Sequence, residues 1–429
     1  MGLELSGGRS EKYNWDGCLL RICYNDVVMA KKIAILGSTG SIGKRALEVI
    51  DGLNSSLAAR GLSLESERYE IAALSAHSNV ELLAEQVRRY KPKFAVITNV
   101  DYFGKFLELT GDFDVEVLAG QEGLTEIAQL DEVDIVLAAV VGAAGLGAVL
   151  AAARKGKRLA IANKEPLVIA GELLTRTAKE NGSVIVPVDS EHSAIFQSMQ
   201  AGRPDEVGKI ILTASGGPFR GFGADEIGEV TLEQALAHPV WDMGVKITID
   251  SATMINKALE VIEAKWLFDV PVEKIEVLIH PESIVHSLVE FVDGSVVAQL
   301  GLPDMSLPIQ YALTYPERVG GIAEHLRLDE IGKLTFEKPD MAIFRALRLG
   351  FEVAQTGGTA AAVFNAANEA AVEELLAGRI KFVNIVELIE DCLGKHSVKQ
   401  DVSIEEIFEA DEWARREVRQ SISVRDYKC

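Results

Sequence analysis

The run Gly37-Ser38-Thr39-Gly40-Ser41-Ile42-Gly43 constrains this chain more than any other feature. It follows the apolar stretch Lys32–Leu36 directly and leads into a helical pattern from Lys44 to Gly52. A glycine loop between strand and helix lets the backbone approach a pyrophosphate, whose charge the helix N-terminus stabilises. Gly37, Gly40 and Gly43 are not in the commonest fingerprint spacing, so a functionless Gly-rich turn is the alternative.

Short apolar runs then alternate with helical stretches. Glu70–Leu74, Phe94–Thr98, Val115–Leu118, Asp134–Val141 and Arg158–Ile161 read as strands, and Gly147–Ala153 as an intervening helix. Such alternation predicts an α/β fold, a doubly wound parallel-sheet (Rossmann-like) domain over residues 30–178. Val184–Val188 opens a second, α+β region at 179–302, with strands Lys209–Leu212 and Ile275–Ile279. Its hairpin, Ser287–Val292 with Ser295–Leu300, turns at Asp293-Gly294. Residues 303–338 read as a connecting segment, and 339–429 as a separate helical domain containing Thr359–Gly378 and Ile404–Ser421.

Residues 1–29 lack any sustained period, and Met29 reads as the natural start behind a disordered or non-native extension. A transit peptide is the rival, which the acids Glu4, Glu11, Asp16 and Asp26 disfavour. The formal charge of −21 argues against nucleic acid and anionic membranes, both of which need a basic face. No apolar run reaches the ~20 residues of a membrane span. Cys18, Cys23, Cys392 and Cys429 form no close pair, so neither a disulfide scaffold nor a zinc site is expected and a reducing cytoplasm fits.

The second strand ends in Ser75-Ala76-His77-Ser78-Asn79, without the acid that grips ribose hydroxyls in an NAD site. Ser78, His77 and Asn79 can donate to a 2′-phosphate, which favours NADPH; solvated loop residues are the plain alternative. Asp189 and Glu191 follow the strand at 184–188 and share a side if the chain stays extended. Two converging carboxylates suit a hard cation, whereas ordinary helix capping before His192–Gln200 explains Asp189 alone. In Asp250–Phe268 a helix beginning at Ser251 or Thr253 puts Asn256 and Glu260 on one face. It then offers phosphate donors from its start, Asn256 and Lys257, and a third carboxylate; the alternative is a Lys257–Glu260 surface pair. Carboxylates without clustered His or Cys select Mg²⁺ or Mn²⁺ over zinc. Ser215-Gly216-Gly217 is a second candidate phosphate nest. His238-Pro239-Val240-Trp241-Asp242-Met243-Gly244 suits a mobile lid, with Trp241 as a core anchor the alternative.

With ANKE (162–165), PVDSEH (187–192), SGGPFR (215–220), HPVWDMG (238–244) and DSATMINKALE (250–260), the chain resembles the 1-deoxy-D-xylulose 5-phosphate reductoisomerase family from about Lys32 onward. The resemblance implies that Thr39, Gly40, Ser41, Ile42, Asn79, Asn163, Glu165 and Gly244 contact NADPH. Asp189, Glu191 and Glu260 would hold Mg²⁺ or Mn²⁺, with Co²⁺ a further option. Lys164, Ser190, Ser215, His238, Ser251, Asn256 and Lys257 would bind a small phosphorylated sugar, with Trp241 over it. Lys164 and His238 join the three carboxylates as the catalytic set, and a homodimer through the 287–300 hairpin is implied. His77-Ser78 stands where members often have Gly and a basic residue. The expected chemistry is cleavage and re-formation of a C–C bond, with an α-ketol shift as the other route, and then hydride reduction of the branched aldehyde. A metal-assisted NADP dehydrogenase without rearrangement, and a non-catalytic NADPH sensor, are the competing readings.

Overall fold

The computed structural model describes residues 30–59, 68–241 and 243–424. The expected extension at 1–29 and Asp242 of the lid lie outside the described residues.

Seven parallel strands form the first sheet: β1 (Lys31–Leu36), β2 (Tyr69–Ala76), β3 (Phe94–Ile97), β4 (Glu116–Ala119), β5 (Ile135–Ala138), β6 (Arg158–Ile161) and β7 (Val184–Pro187). Their order is β4-β3-β2-β1-β5-β6-β7, so the direction of winding reverses between β1 and β5. A reversal of this kind leaves a crevice at the strands' C-terminal ends, where ligands bind. Side chains alternate across the sheet, as the two-residue period requires. Ile33, Ile35, Ile135 and Leu137 face a core with Leu47, Ile50 and Leu53 of the cradle helix Ser41–Ala59. Ala34, Leu36, Val136 and Ala138 face the other core.

β7 pairs with β6, so the strand expected to open the second region closes the first sheet instead. Four apolar residues cannot by themselves reveal which sheet they join. The second sheet, ordered β11-β10-β8-β9, contains β8 (Val207–Ala214), β9 (Ile275–Ile279), β10 (Val285–Phe291) and β11 (Val296–Leu300). β8 and β9 are parallel, while β10 runs antiparallel to both β8 and β11. Gly294 takes the positive φ the hairpin turn needs, at 84°.

Two further expectations change. The Pro-rich connection holds a helix, Ser306–Thr314, whose Ile309, Ala312 and Leu313 cover the cradle-helix side of the first sheet. Pro308 is tolerated because it lies in the first turn, where its missing N–H costs no helical bond. The C-terminal helices, including Ala360–Leu376 and Ile404–Val424, share one continuous apolar core with both sheets rather than packing apart. No helix among the described residues is long and apolar enough to cross a membrane.

Candidate active site

The crevice beside β1 and β5 opens into a cleft of about 510 Å³, within the range of small-molecule sites. One wall is the cradle. Gly37 has φ +88°, and a Cβ there would meet the Ala139 carbonyl oxygen at 2.6 Å. A Cβ on Gly43 would stand 2.3 Å from the Gly37 oxygen, so this glycine lets the helix pack on the loop. Gly37, Thr39 and Gly43 shape the loop, while Gly40, Ser41 and Ile42 line the cleft. Two residues not expected at this loop pin it. The Gly37 N–H donates to Ser75 Oγ at 2.9 Å, and Gln86 both accepts from Ser38 Oγ (2.6 Å) and donates to the Ser38 carbonyl (2.9 Å).

Asn163 and Glu165 line the same wall, and Gly244 lies at the lid's far end. Both side-chain polar atoms of Asn163 are buried without a hydrogen-bond partner, which fits an amide set to meet a polar ligand. Burial pushes the Glu165 carboxyl up, and Lys246 partly offsets this. His77, Ser78 and Asn79 stand at the end of β2, apart from the residues lining the cleft. His77 Nδ1 meets Thr98 Oγ1 at 3.0 Å, and Asn79 caps the helix Val80–Tyr90 by accepting from the Leu82 N–H at 3.2 Å.

The opposite wall carries the charge. Asp189 is the N-cap of the helix Ser190–Ser198, its Oδ1 accepting from the His192 N–H at 3.3 Å. The chain is therefore not extended through Glu191, and Asp189 and Glu191 do not share a side as expected of a strand. The carboxylates meet by another route. Asn256, Lys257 and Glu260 project from the helix Ile255–Phe268. Lys257 Nζ donates to Glu191 Oε1 (2.8 Å) and Glu260 Oε2 (2.5 Å). Lys164 Nζ donates to Asp189 and lies 3.4 Å from Glu260 Oε1. Asn256 Nδ2 donates to Glu260 Oε1 at 2.7 Å, the predicted one-turn pairing. Lys257 and Glu260 are a fully buried pair, not a surface one.

Three carboxylates against two ammonium groups leave one unmatched negative charge in a buried setting. Such a cluster suits a cation, and without one it favours retaining a proton. Burial raises the Glu260 carboxyl to about 8, with Glu191 adding and Lys257 opposing. Burial also acts on Asp189, but Lys164 outweighs it and holds that carboxyl below its ordinary value. Among the described residues, Asp189, His192 and Glu260 bring possible ligand atoms within 4.8 Å of one another. Glu191 reaches the group through Lys257, because that ammonium lies between it and Glu260.

His192 and Glu263 escaped the sequence reading. His192 Nε2 donates to the Glu260 carbonyl at 3.0 Å, and burial pushes the ring down to about 4, so it is neutral. Its Nδ1 lone pair then faces Glu263 Oε2 at 3.7 Å, and burial holds the Glu263 carboxyl well above its ordinary value. At that distance the two atoms make no hydrogen bond, and both are buried without a partner. The i, i+3 spacing of Glu260 and Glu263 was the available signal.

The helix expected to start at Ser251 or Thr253 is two helices, Val245–Ala252 and Ile255–Phe268, broken at Met254 with φ 63°. Ser251 thus sits in the last turn of the first helix rather than at a helix start, yet it lines the cleft. Ser215, Gly216 and His238 complete this end. Gly216 and Gly217 both have positive φ, whereas a nest alternates right- and left-handed residues, and the Gly217 N–H already donates to Ser215 Oγ at 3.2 Å. His238 Nδ1 accepts from the Trp241 and Val240 N–H groups at 2.9 and 3.2 Å. Its Nε2–H therefore faces Ser215 Oγ at 3.1 Å. Trp241 is partly exposed at the cleft, 6.5 Å from the His286 ring, so it is not a buried core anchor.

A doubly wound sheet whose glycine cradle faces a buried carboxylate–ammonium cluster defines a Rossmann-type enzyme with a second, charged layer. Comparison with known proteins makes this specific. Residues 33–171 match the 1-deoxy-D-xylulose 5-phosphate reductoisomerase family, 185–268 its C-terminal domain, and 300–417 the DXP reductoisomerase C-terminal domain. The reductoisomerase of Clostridium perfringens is 48% identical over 394 residues, covering 91% of this chain and 98% of that one. That of Chloroherpeton thalassium is 50% identical over 388 residues, covering 90% and 97%. The Zymomonas mobilis enzyme, solved in complex with NADPH, superposes with a TM-score of 0.84 at 42% identity, over 92% of this chain and 99% of that one. A DOX-P reductoisomerase solved with NADPH, fosmidomycin and magnesium gives 0.84 at 40% identity, over 92% and 98%. The chain belongs to the 1-deoxy-D-xylulose 5-phosphate reductoisomerase family.

Proposed function

We propose that one cleft of this chain performs the whole family reaction with the residues assigned below. 1-Deoxy-D-xylulose 5-phosphate is rearranged and reduced to 2-C-methyl-D-erythritol 4-phosphate, an isoprenoid precursor, with NADPH and a divalent cation. The observation that carries the reading is that the dinucleotide cradle and the carboxylate–ammonium cluster line the same cleft. When bound, NADPH supplies the hydride and a divalent cation the Lewis-acid polarisation of the ketose oxygens.

The chain's own residues do the rest. Gly40, Ser41, Ile42, Asn163, Glu165 and Gly244 hold the cofactor over the substrate, with His77, Ser78 and Asn79 toward its adenosine end. Asp189, Glu191 and Glu260 hold Mg²⁺, Mn²⁺ or Co²⁺, with Ser190 beside them. Ser215, Ser251, Asn256, Lys257 and His238 anchor the phosphate, so that fragments stay in place while a C–C bond breaks and re-forms. Lys164 donates to the developing alkoxide. The lid excludes water while the reactive aldehyde exists, and Trp241 covers the carbon backbone. We also read the enzyme as cytoplasmic and as a homodimer.

The test is NADPH oxidation with 1-deoxy-D-xylulose 5-phosphate, with and without Mg²⁺ or Mn²⁺, followed by ¹³C connectivity of the product. A cation-dependent, branched product is expected. An unbranched one would establish the plain dehydrogenase instead, and no oxidation would leave the sensor reading.

A further inference from the structure

A dinucleotide brings at least two negative phosphates into a cleft already lined by Glu165, Asp189, Glu191 and Asp250. Among the described residues, four cationic side chains line that cleft: Arg45, Lys164, Lys246 and Lys257. Three are committed to buried carboxylates. Lys164 and Lys257 bridge the triad. Lys246 Nζ lies 2.7 Å from Asp250 Oδ2, whose other oxygen accepts from Asn368 Nδ2 at 2.9 Å.

Arg45 differs. It stands one turn along the cradle helix from Ser41 and Ile42, on the face that lines the cleft. It holds Asp304 through Nη2, at 2.8 and 2.9 Å, and Nε, at 3.2 Å, and Glu48 through Nη1 at 2.7 Å. Both partners face water, with side chains 32% and 58% exposed. At this exposure water and salt screen the pairs, so a dinucleotide phosphate can compete for the guanidinium. A guanidinium's planar fork matches phosphate oxygens as well as it matches a carboxylate.

We propose that Arg45 is a further cofactor-binding residue, which exchanges Asp304 for the diphosphate of the dinucleotide. The assignment rests on the NADPH reading above. The diphosphate is favoured over the 2′-phosphate because Arg45 belongs to the helix that opens at the glycine loop, whereas His77 and Ser78 stand at the end of β2. The rival is a purely mechanical role, in which Arg45–Asp304 ties the cradle helix to the segment before the helix Ser306–Thr314.

Equilibrium binding of NADPH and NADH, read by the fluorescence of the reduced nicotinamide without substrate, separates these. In Arg45→Met both dissociation constants should rise about equally, by tenfold or so on loss of a charge-assisted contact. Arg45→Lys, which keeps the charge but not the fork, should be intermediate and guards against a folding defect. Asp304→Asn should bind both cofactors as tightly as the wild type or more tightly, because it frees Arg45. Unchanged constants in Arg45→Met overturn the proposal. So does a loss confined to NADPH, which would move the contact to the 2′-phosphate. Equal weakening in Arg45→Met and Asp304→Asn would show a strut instead. A wild type that binds neither cofactor would remove the functional reading itself.

Discussion

Glu260 is the residue on which the cleft's electrostatics turn. Its side chain is fully buried, and with its carboxyl raised to about 8 it keeps a proton at neutral pH in the absence of a cation. A carboxylate whose folded value is raised costs stability as pH climbs from its ordinary 4.5 toward 8, because the unfolded chain ionises first. Glu260→Gln mimics the protonated form and removes that cost. The metal-free variant should melt no lower than the wild type at pH 7. It should lose the rise in melting temperature caused by Mg²⁺, and kcat should fall by several orders of magnitude. Near-normal turnover at ordinary Mg²⁺ would refute the assignment. His238 gives a pH prediction of the opposite kind. Burial lowers its pKa below 6.5, and its neutral Nδ1 accepts the Val240 and Trp241 N–H groups. The lid's order should be complete above pH 6.5 and decline as pH falls through the lowered value. Amide exchange at Val240 and Trp241 in the ligand-free protein should accelerate there, and His238→Gln should abolish the pH step. A step centred above 6.5 would contradict the geometry. At this scale the sequence was informative where a spacing carried the chemistry, as for Asn256 and Glu260. For Glu263 it offered only the i, i+3 spacing from Glu260, and the meeting of Glu263 with His192 depends on a packing contact between two helices.

At the scale of elements, the glycine loop shows how a motif encodes both shape and strain. Gly43 has ordinary helical backbone, yet a Cβ there would collide with the Gly37 oxygen and Ser38 Cα at 2.3 and 2.5 Å. Neither neighbour is a flexible side-chain end, so Gly43→Ala must push the cradle helix off its loop. Overpacking of this kind costs about 1–3 kcal/mol. Gly43→Ala should therefore lower the melting temperature and weaken NADPH binding together, whereas Gly40→Ala, whose Cβ meets only Gly37 O at 3.4 Å, should spare stability. Equal melting of the two variants would show that the loop relaxes. The strand–loop–helix order was legible because apolar run, glycines and periodic run are contiguous. Two features were not. The break at Met254 puts a non-glycine residue at positive φ, which no local propensity announces. The capping role of Asp189 competes with an extended continuation, and only the helix that follows decides between them.

For the whole molecule, the parallel sheet could be inferred from alternation alone, but its extent could not. β7 and the helix Ser306–Thr314 join the first layer through contacts with residues distant in sequence. The same limit applies to association, which leaves its trace on a surface. β11 is an edge strand of the second sheet, and Val296 (50%) and Val292 (70%) are exposed on its hairpin. Native proteins usually protect such an edge by charge, proline or cover, and this one carries valine instead. An exposed apolar edge of this kind is consistent with pairing to a second copy, as the homodimer reading requires. Val296 stands opposite Glu290 on β10, and Lys209 Nζ already lies 3.3 Å from Glu290 Oε2. Val296→Lys would place a charge on the outer edge while gaining a cross-strand partner of opposite sign, so the single chain should fold undisturbed. Sedimentation velocity should then show a dimer for the wild type and a shift toward monomer for the variant, with melting of the cradle domain and NADPH binding retained. If the variant sediments as the wild type does, β11 is not the interface; if the wild type is itself a monomer at micromolar concentration, the valine edge has some other cover and the homodimer reading falls.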